Sequence, residues 1–373
     1  MGTTLKELFS PNVMLGVTDV LKGSLPRLHM PAGLFGDGTT TQPVIGDTGY
    51  IVRGTGTHRA AKQAARGSVA RPRTINGMAK RPEVLLHSAE SMEVKADDIR
   101  AIVDWEANPE SSTLKVSANV AQSAVANIQR QAMNLQANLR TAAVTSAFGL
   151  GHIYFDGEGE ILASSSGAVI DVDYGIPAGN LNQVSSIIDA SWATASTKII
   201  KHIELLKLRI LQQSGRQAAH VIYGKNILGY LLDNTQAKEL IWRNANMNAQ
   251  VLGTTSIGTF TLGGLTWWPG YMGFHRDSSD AVATLINDDA IIMIPEPTPD
   301  WYQMQEGFEL VPENGFGRAM NLSELFASAT PKQGMFQYAE GSTNPMKGTV
   351  IYGDNFLPAI HVPEAVIVAD VVP

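Results

Sequence analysis

The sequence predicts an α+β fold built around one long helix, and three observations carry that reading. The segment between Pro109 and Gly149 contains no Gly and no Pro, so nothing in it breaks a helix. Residues 151–176 alternate apolar and polar in short runs, the period of half-buried strands. From residue 216 the texture becomes α/β, with wholly apolar strand-like runs between helical stretches.

Taken in order, residues 1–47 read as an N-terminal arm. Leu5, Leu8 and Phe9, then Val13, Met14, Val17, Val20 and Leu21, suggest two short amphipathic turns around Pro11. Pro26, Pro31, Gly33, Gly36, Gly38 and Pro43 then forbid regular structure. An arm with so little core of its own must lie on something else. Residues 48–95 read as an extended loop, a long β-hairpin. Tyr50-Ile51-Val52 enters, and Glu83–Leu86 and Met92–Val94 return.

Residues 96–215 read as one domain containing the long helix, placed at 112–148. Ser111, Ser112 and Thr113 are candidate N-caps, and Gly149 and Gly151 supply the stop. At about 1.5 Å per residue such a helix runs on the order of 50 Å. Ala121, Val125, Ile128, Ala132, Leu135, Leu139 and Ala142 recur at spacings of three and four and mark one apolar stripe. That stripe is too short and too alanine-rich for a coiled coil. The other face carries Asn119, Gln122, Asn127, Gln129, Gln131, Asn134, Gln136 and Asn138, with only Arg130 and Arg140 charged. A neutral amide face suits a helix that touches protein on several sides. A second amphipathic helix over 190–213 follows, with Trp192, Ile199, Ile203, Leu206 and Ile210 as its stripe.

Residues 216–345 open with a buried strand, Ala218–Tyr223, followed by helical turns over 226–232 and 235–242. Strands are expected at 259–262, 265–268 and 290–294. Residues 295–345 are expected to be irregular, because Pro and Gly punctuate them. Two final strands, 348–352 and 365–369, cannot be satisfied alone. They are expected to return to the sheet begun at 151–176, making 346–373 a closing element.

The chain has 373 residues, 44% of them hydrophobic, enough for a sizeable core. With no cysteine, disulfides, thiolate catalysis and cysteine metal sites are excluded. Met1–Ser10 does not read as a signal peptide, and no apolar run approaches the roughly 18 residues of a membrane span. The net charge of −7 hides an asymmetry. Residues 48–82 hold eight Lys or Arg and no acid, so removing their +8 leaves −15 for the rest.

A basic loop can bind nucleic acid, but this one lacks interleaved aromatics and any groove-reading motif. It can be solvated, or it can dock on an acidic protein surface. The docking residues would be Arg59, Lys62, Arg66, Arg71 and Arg73, near the hairpin tip. The acids Asp97, Asp98, Asp104 and Glu106 follow at once and form the candidate partner patch.

Catalytic constellations do not survive inspection. Gly224-Lys225-Asn226 is the nearest approach to a P-loop and fails it. Gly33, Gly36 and Gly38 have no flanking strand and helix. The eight histidines show no i, i+4 pair. Asp156–Glu160 lacks calcium-loop spacing and reads as a hairpin turn. Ala163–Gly167 reads as a serine-rich turn, not a nucleophile elbow. No cofactor is expected.

The order of arm, hairpin, long helix, sheet, second helix, α/β portion and returning strand resembles the tailed-phage major capsid proteins of Hong-Kong-ninety-seven-like architecture. Locally the chain is similar to the lambda-type branch, the major capsid protein E family. The residues that carry this are His220–Tyr223 with Gly224–Leu232, Ile286–Ala290 before a buried strand, and the ending Leu357-Pro358-Ala359 with Val362–Ala365. The resemblance implies a shell subunit with 96–215 as peripheral domain, its long helix as spine, and 216–345 as axial domain. It implies self-assembly as hexamers and pentamers in an icosahedral phage head, assembled in the bacterial cytoplasm, around non-specifically held double-stranded DNA. Portal, separate scaffolding and decoration proteins are the implied partners, with no membrane. The alternatives are an encapsulin-like nanocompartment, a nucleic-acid-binding protein, and an enzyme with a cryptic site.

Overall fold

The computed structural model describes residues 30–36, 39–53, 79–95, 118–181, 187–243, 259–270, 274–276, 279–283, 285–312, 329–343 and 346–372. The chain begins with β1 (Thr41–Pro43), β2 (Thr48–Arg53), β3 (Ala79–Val84) and β4 (Leu86–Lys95), then the long helix α1 (Ala118–Gly149). Three short strands follow, β5 (His152–Phe155), β6 (Ile161–Leu162) and β7 (Ile170–Asp173), and then helix α2 (Ile199–Ser214). Next come β8 (Ala218–Tyr223), α3 (Ile227–Asp233), α4 (Thr235–Arg243), β9 (Phe260–Leu262), β10 (Leu265–Pro269), β11 (Phe274–Arg276), β12 (Ser279–Ala283) and β13 (Ala290–Pro295). The remainder is β14 (Tyr302–Glu306), β15 (Phe308–Pro312), β16 (Ala329–Gln333), β17 (Phe336–Thr343), β18 (Met346–Ile360) and β19 (Ile367–Asp370).

The strands at 218–223 and 290–295 are apolar apart from His220 because both of their faces are buried. They sit in a five-stranded sheet of order β19-β13-β8-β10-β9. Alternate residues point to opposite faces. Ile222, Ile292, Ile294 and Val368 enter one core with Phe148, Trp301 and Tyr302. Val221, Tyr223, Ile291, Met293, Ile367 and Ala369 enter a second core with Ile199, Ile203, Leu206 and Ile210 of α2. The sheet is thus the wall between two cores. The expected stripe of the second helix is buried in full, although its Trp192 lies ahead of the helix start.

A second sheet runs β1-β14-β18-β17, with β4 on β18 as well. Its axis is β18, which pairs antiparallel with β4 over ten residue pairs, from Lys347↔Lys95 to Phe356↔Leu86. Phe356 pairs with both Leu86 and Glu306, so β4 and β14 lie on opposite edges of β18.

Three expectations need correction. The last strands do not join the sheet of residues 151–176. β19 pairs with β13, and β18 with β4, β14 and β17. The β6-β5-β7 sheet is short and has one open face. It could not bury both faces of an all-apolar strand such as Ile367–Ala369. Residues 295–345 are not irregular where described: β14 to β17 fill 302–312 and 329–343. Pro312 and Pro331 are accommodated in a two-stranded ribbon, where a missing donor matters less.

The apolar stripe of α1 is also shifted. Leu135, placed on the buried stripe, is 45% exposed, while Gln129, Ala132, Met133, Gln136, Ala137 and Arg140 are buried. The amide face, not only the aliphatic one, meets the sheet. Residues 112–117 of the expected helix lie outside the described residues.

Candidate assembly surface

Arg140 is the structural hub of the described chain. Alanines at 132, 137 and 143 let α1 approach the second sheet closely, and the long Arg140 side chain reaches across the seam. Its Nε donates to Asp354 Oδ2 at 2.8 Å and its Nη2 to Oδ1 at 2.7 Å, a two-pronged clasp. Nη1 donates to Glu306 Oε1 at 2.7 Å and to the Phe35 carbonyl at 3.2 Å. The rings of Phe356 and Phe35 lie 5.1 and 5.7 Å from the guanidinium carbon. Burial works against the charge, but Asp354 and Glu306 outweigh it and hold the pKa above the ordinary arginine range.

One side chain therefore joins α1, β14, β18 and the segment around Phe35. The described part of the expected arm, 30–36 and 39–47, does lie on the body. Met30 and Leu34 enter the first core, Tyr302 donates to the Leu34 carbonyl, and β1 pairs parallel with β14.

The expected hairpin is met in part: Leu86 and Met92–Val94, read as its return, belong to β4, which pairs with β18 and not with β2. β2 and β3 pair antiparallel from Thr48↔Val84 to Arg53↔Ala79. Gly49 and Ile51 face the body, and the opposite face carries Tyr50, Pro82 and Val84 exposed. The base of this ribbon is held by side chains. Gln305 accepts from Tyr50 N at 2.7 Å and donates to Tyr50 O at 2.6 Å. His361 Nδ1 accepts from Val52 N at 3.1 Å, which fixes that nitrogen unprotonated. Arg81 donates to the Asp173 carbonyl at 3.0 Å.

The candidate contact residues Arg59, Lys62, Arg66, Arg71 and Arg73 lie outside the described residues, and so do Asp97, Asp98, Asp104 and Glu106. The expected contact between them is neither made nor refused. Sequence reasoning missed the Arg140 cluster by assigning Arg140 to the helix face opposite the apolar stripe. No local signal separated Arg140 from Arg130, which also lies on the amide-and-alanine face with no acid three or four residues away and is exposed.

The features that faintly resemble enzyme or metal sites are structural. Asp156 Oδ1 accepts the backbone N–H of Glu158 and of Glu160, both at 2.9 Å, and so closes its own turn. Residues 163–167 form an exposed turn with Ala168 N on Ser165 O. Among the described residues no three His, Asp or Glu side chains are grouped to hold a metal ion.

The segments singled out by resemblance meet in space. Gly224 N donates to Ala290 O at 2.9 Å and Asn226 N to Asp288 O at 3.0 Å. A Cβ at Gly224 would sit 2.3 Å from Asn287 O, so only glycine fits there.

The phage major capsid protein E family model matches residues 18–305. No curated protein matches the chain. Among solved structures, the proposed capsid protein of a prophage of E. coli CFT073 superposes with a TM-score of 0.55 at 13% identity, over 97% of this chain and 99% of that one. The mature capsid of bacteriophage PhiM1 gives 0.45 at 14%, over 89% and 85%. An encapsulin complex from Synechococcus elongatus PCC 7942 gives 0.41 at 8%, over 90% and 85%. The prophage match shows the Hong-Kong-ninety-seven-like fold over 97% of the chain. With that fold and a family model over most of its length, the chain belongs to the phage major capsid protein E family.

Proposed function

We propose that copies of this chain form the hexamers and pentamers of an icosahedral tailed-phage head that encloses double-stranded DNA. The observation that carries it is the family match over residues 18–305. As a phage major capsid protein the chain builds a shell with itself and is part of the virion capsid. Assembly in the bacterial cytoplasm with a portal protein, a separate scaffolding protein and a decoration protein belongs to the same proposal. So does the division into a peripheral domain at 96–215 and an axial domain. The pairing of 302–306 with β1 and β18, and of 336–343 with β18, favours 216–295 as the axial part.

In this reading the hairpin at 48–95 extends over a neighbouring subunit, with Arg59, Lys62, Arg66, Arg71 and Arg73 in the contact. What supports it is the +8 of residues 48–82 and the outward apolar face of Tyr50, Pro82 and Val84, which a two-stranded ribbon cannot cover by itself. Reversing Arg66, Arg71 and Arg73 to Glu should block shell formation and leave the subunit folded. Sedimentation with circular dichroism checks this. Normal shells from the triple variant would overturn the hairpin reading.

A further inference from the structure

The sheet of β5, β6 and β7 has an outer face that Arg81 of β3 meets at one end and that stays partly exposed beyond it. His152 and Tyr154 stack on it, ring centroids 5.1 Å apart and 9° from parallel. Beside them stand Asp171 and Asp173, directly across the ladder in the pairs Tyr154↔Asp171 and His152↔Asp173. Asp171 takes His152 Nδ1 at 2.8 Å, and its side chain is still 49% exposed. β7 is an edge strand, and at its start Val169 is 72% exposed, while Ile170, across from Phe155, lies on the opposite face. Glu158 lies exposed at the β5–β6 turn.

Charge along the chain is segregated to match. Residues 141–197 contain six acids, Asp156, Glu158, Glu160, Asp171, Asp173 and Asp189, and no Lys or Arg. Residues 48–82 contain eight bases, six of them arginines, and no acid. Flat aromatic surface beside carboxylates is arginine-binding chemistry, because a guanidinium stacks and forks at once.

One arginine of the hairpin already uses this sheet within the chain. Arg81 Nη1 donates to the Asp173 carbonyl at 3.0 Å and lies 3.7 Å from Asp173 Oδ2. Tyr174 N bonds Gly151 O, toward β5, so strand alternation turns the Asp173 carbonyl to the free edge. Arg81 occupies the end of that edge, and the Val169–Asp171 end stays open.

We infer that the outer face and free edge of the β5–β7 sheet, formed by Tyr154, Glu158, Val169 and Asp171, is the docking site for the basic hairpin of a second copy. This rests on the proposed reading of the hairpin as an inter-subunit contact. It moves the acidic partner from Asp97–Glu106 to Glu158 and Asp171. The second copy is chosen by charge complementarity: it supplies an arginine-rich segment free of acids, and the shell repeats that contact at every subunit.

The test is charge exchange in the full-length protein. Glu158→Lys with Asp171→Lys should lower shell yield about tenfold, as the hairpin reversal does. Combining it with Arg66, Arg71 and Arg73→Glu should restore shells, with circular dichroism unchanged throughout. In wild-type shells made from mixed isotope-labelled and unlabelled subunits, a zero-length carbodiimide should join Lys62 of one copy to Glu158 or Asp171 of another. If the hairpin reversal blocks assembly but the sheet reversal does not, the hairpin reading stands and this site falls. Failure of the combined variant to assemble, or cross-links from Lys62 only to other acids, would also overturn it. If neither reversal matters, the hairpin reading falls with it.

Discussion

Arg140 holds Asp354 by two parallel hydrogen bonds of 2.8 and 2.7 Å while both side chains are almost wholly shielded from water. Truncating one partner of such a buried pair typically costs about 3–5 kcal/mol, because the other charge stays buried and unpaired. Arg140→Ala is therefore expected to destabilise the subunit by about that amount. Arg140→Lys should recover only part, since an ammonium cannot fork to both Asp354 oxygens and reach Glu306 as well. Arg140→Met with Asp354→Leu should be less destabilised than either truncation alone. Chemical denaturation of the three variants checks the order.

The hairpin base should loosen in mild acid. Burial lowers the pKa of His361, and its Nδ1 must be unprotonated to accept from Val52 N. The unfolded chain, with an ordinary histidine near 6.5, takes up the proton first as pH falls. Stability from this site is therefore complete above about pH 6.5 and declines below it until the depressed native pKa is passed. The protection factor of the Val52 amide should fall on going from pH 7 to pH 5.5, although intrinsic exchange itself slows over that range. His361→Gln should remove that fall.

Gly353 of β18 lies across from Ala89 of β4. A Cβ there would be 2.1 Å from the Ser88 carbonyl and 2.5 Å from the Phe336 ring. Neither the backbone of the paired strand nor the buried ring can yield cheaply. Gly353→Ala is expected to cost about 2–4 kcal/mol and to weaken the return of the hairpin through β4, read by denaturation and by protease cleavage within residues 79–95.

Local signals in the sequence were legible wherever a single element decided them. The Gly- and Pro-free run gave α1, and the apolar runs 218–223 and 290–294 gave strands buried on both faces. Tyr50-Ile51-Val52 and Glu83-Val84 marked the β2–β3 ribbon, but Met92–Val94, read as part of the same return, pairs with β18. Pairing at a distance was not legible. Nothing in Ile367–Asp370 distinguishes β13 from β5 as partner except the need for two buried faces, which appears only once both sheets exist. The neutral amide face of α1 did mark a helix that touches protein on several sides, and Gln129, Gln136 and Arg140 are buried, but their partners Ser88, Gln337, Glu306 and Asp354 lie far along the chain and were not legible.

Assembly should respond to salt. If hairpin arginines meet carboxylates on neighbours, each exposed pair contributes only about 0–1 kcal/mol, yet every subunit repeats it. Screening lengths shrink from roughly 10 Å at 0.1 M to 3 Å at 1 M salt. Light scattering should show the initial rate of shell formation falling with ionic strength, and the Arg66/Arg71/Arg73→Glu variant should lose that dependence.

The most direct measurement is electron cryo-microscopy of shells assembled from the purified full-length chain, at a resolution that traces residues 54–78. The account predicts closed icosahedral particles in which that segment crosses to an adjacent subunit and its arginines lie against the β5–β7 sheet. Particles that do not close, or a hairpin that meets only its own chain and solvent, would contradict it.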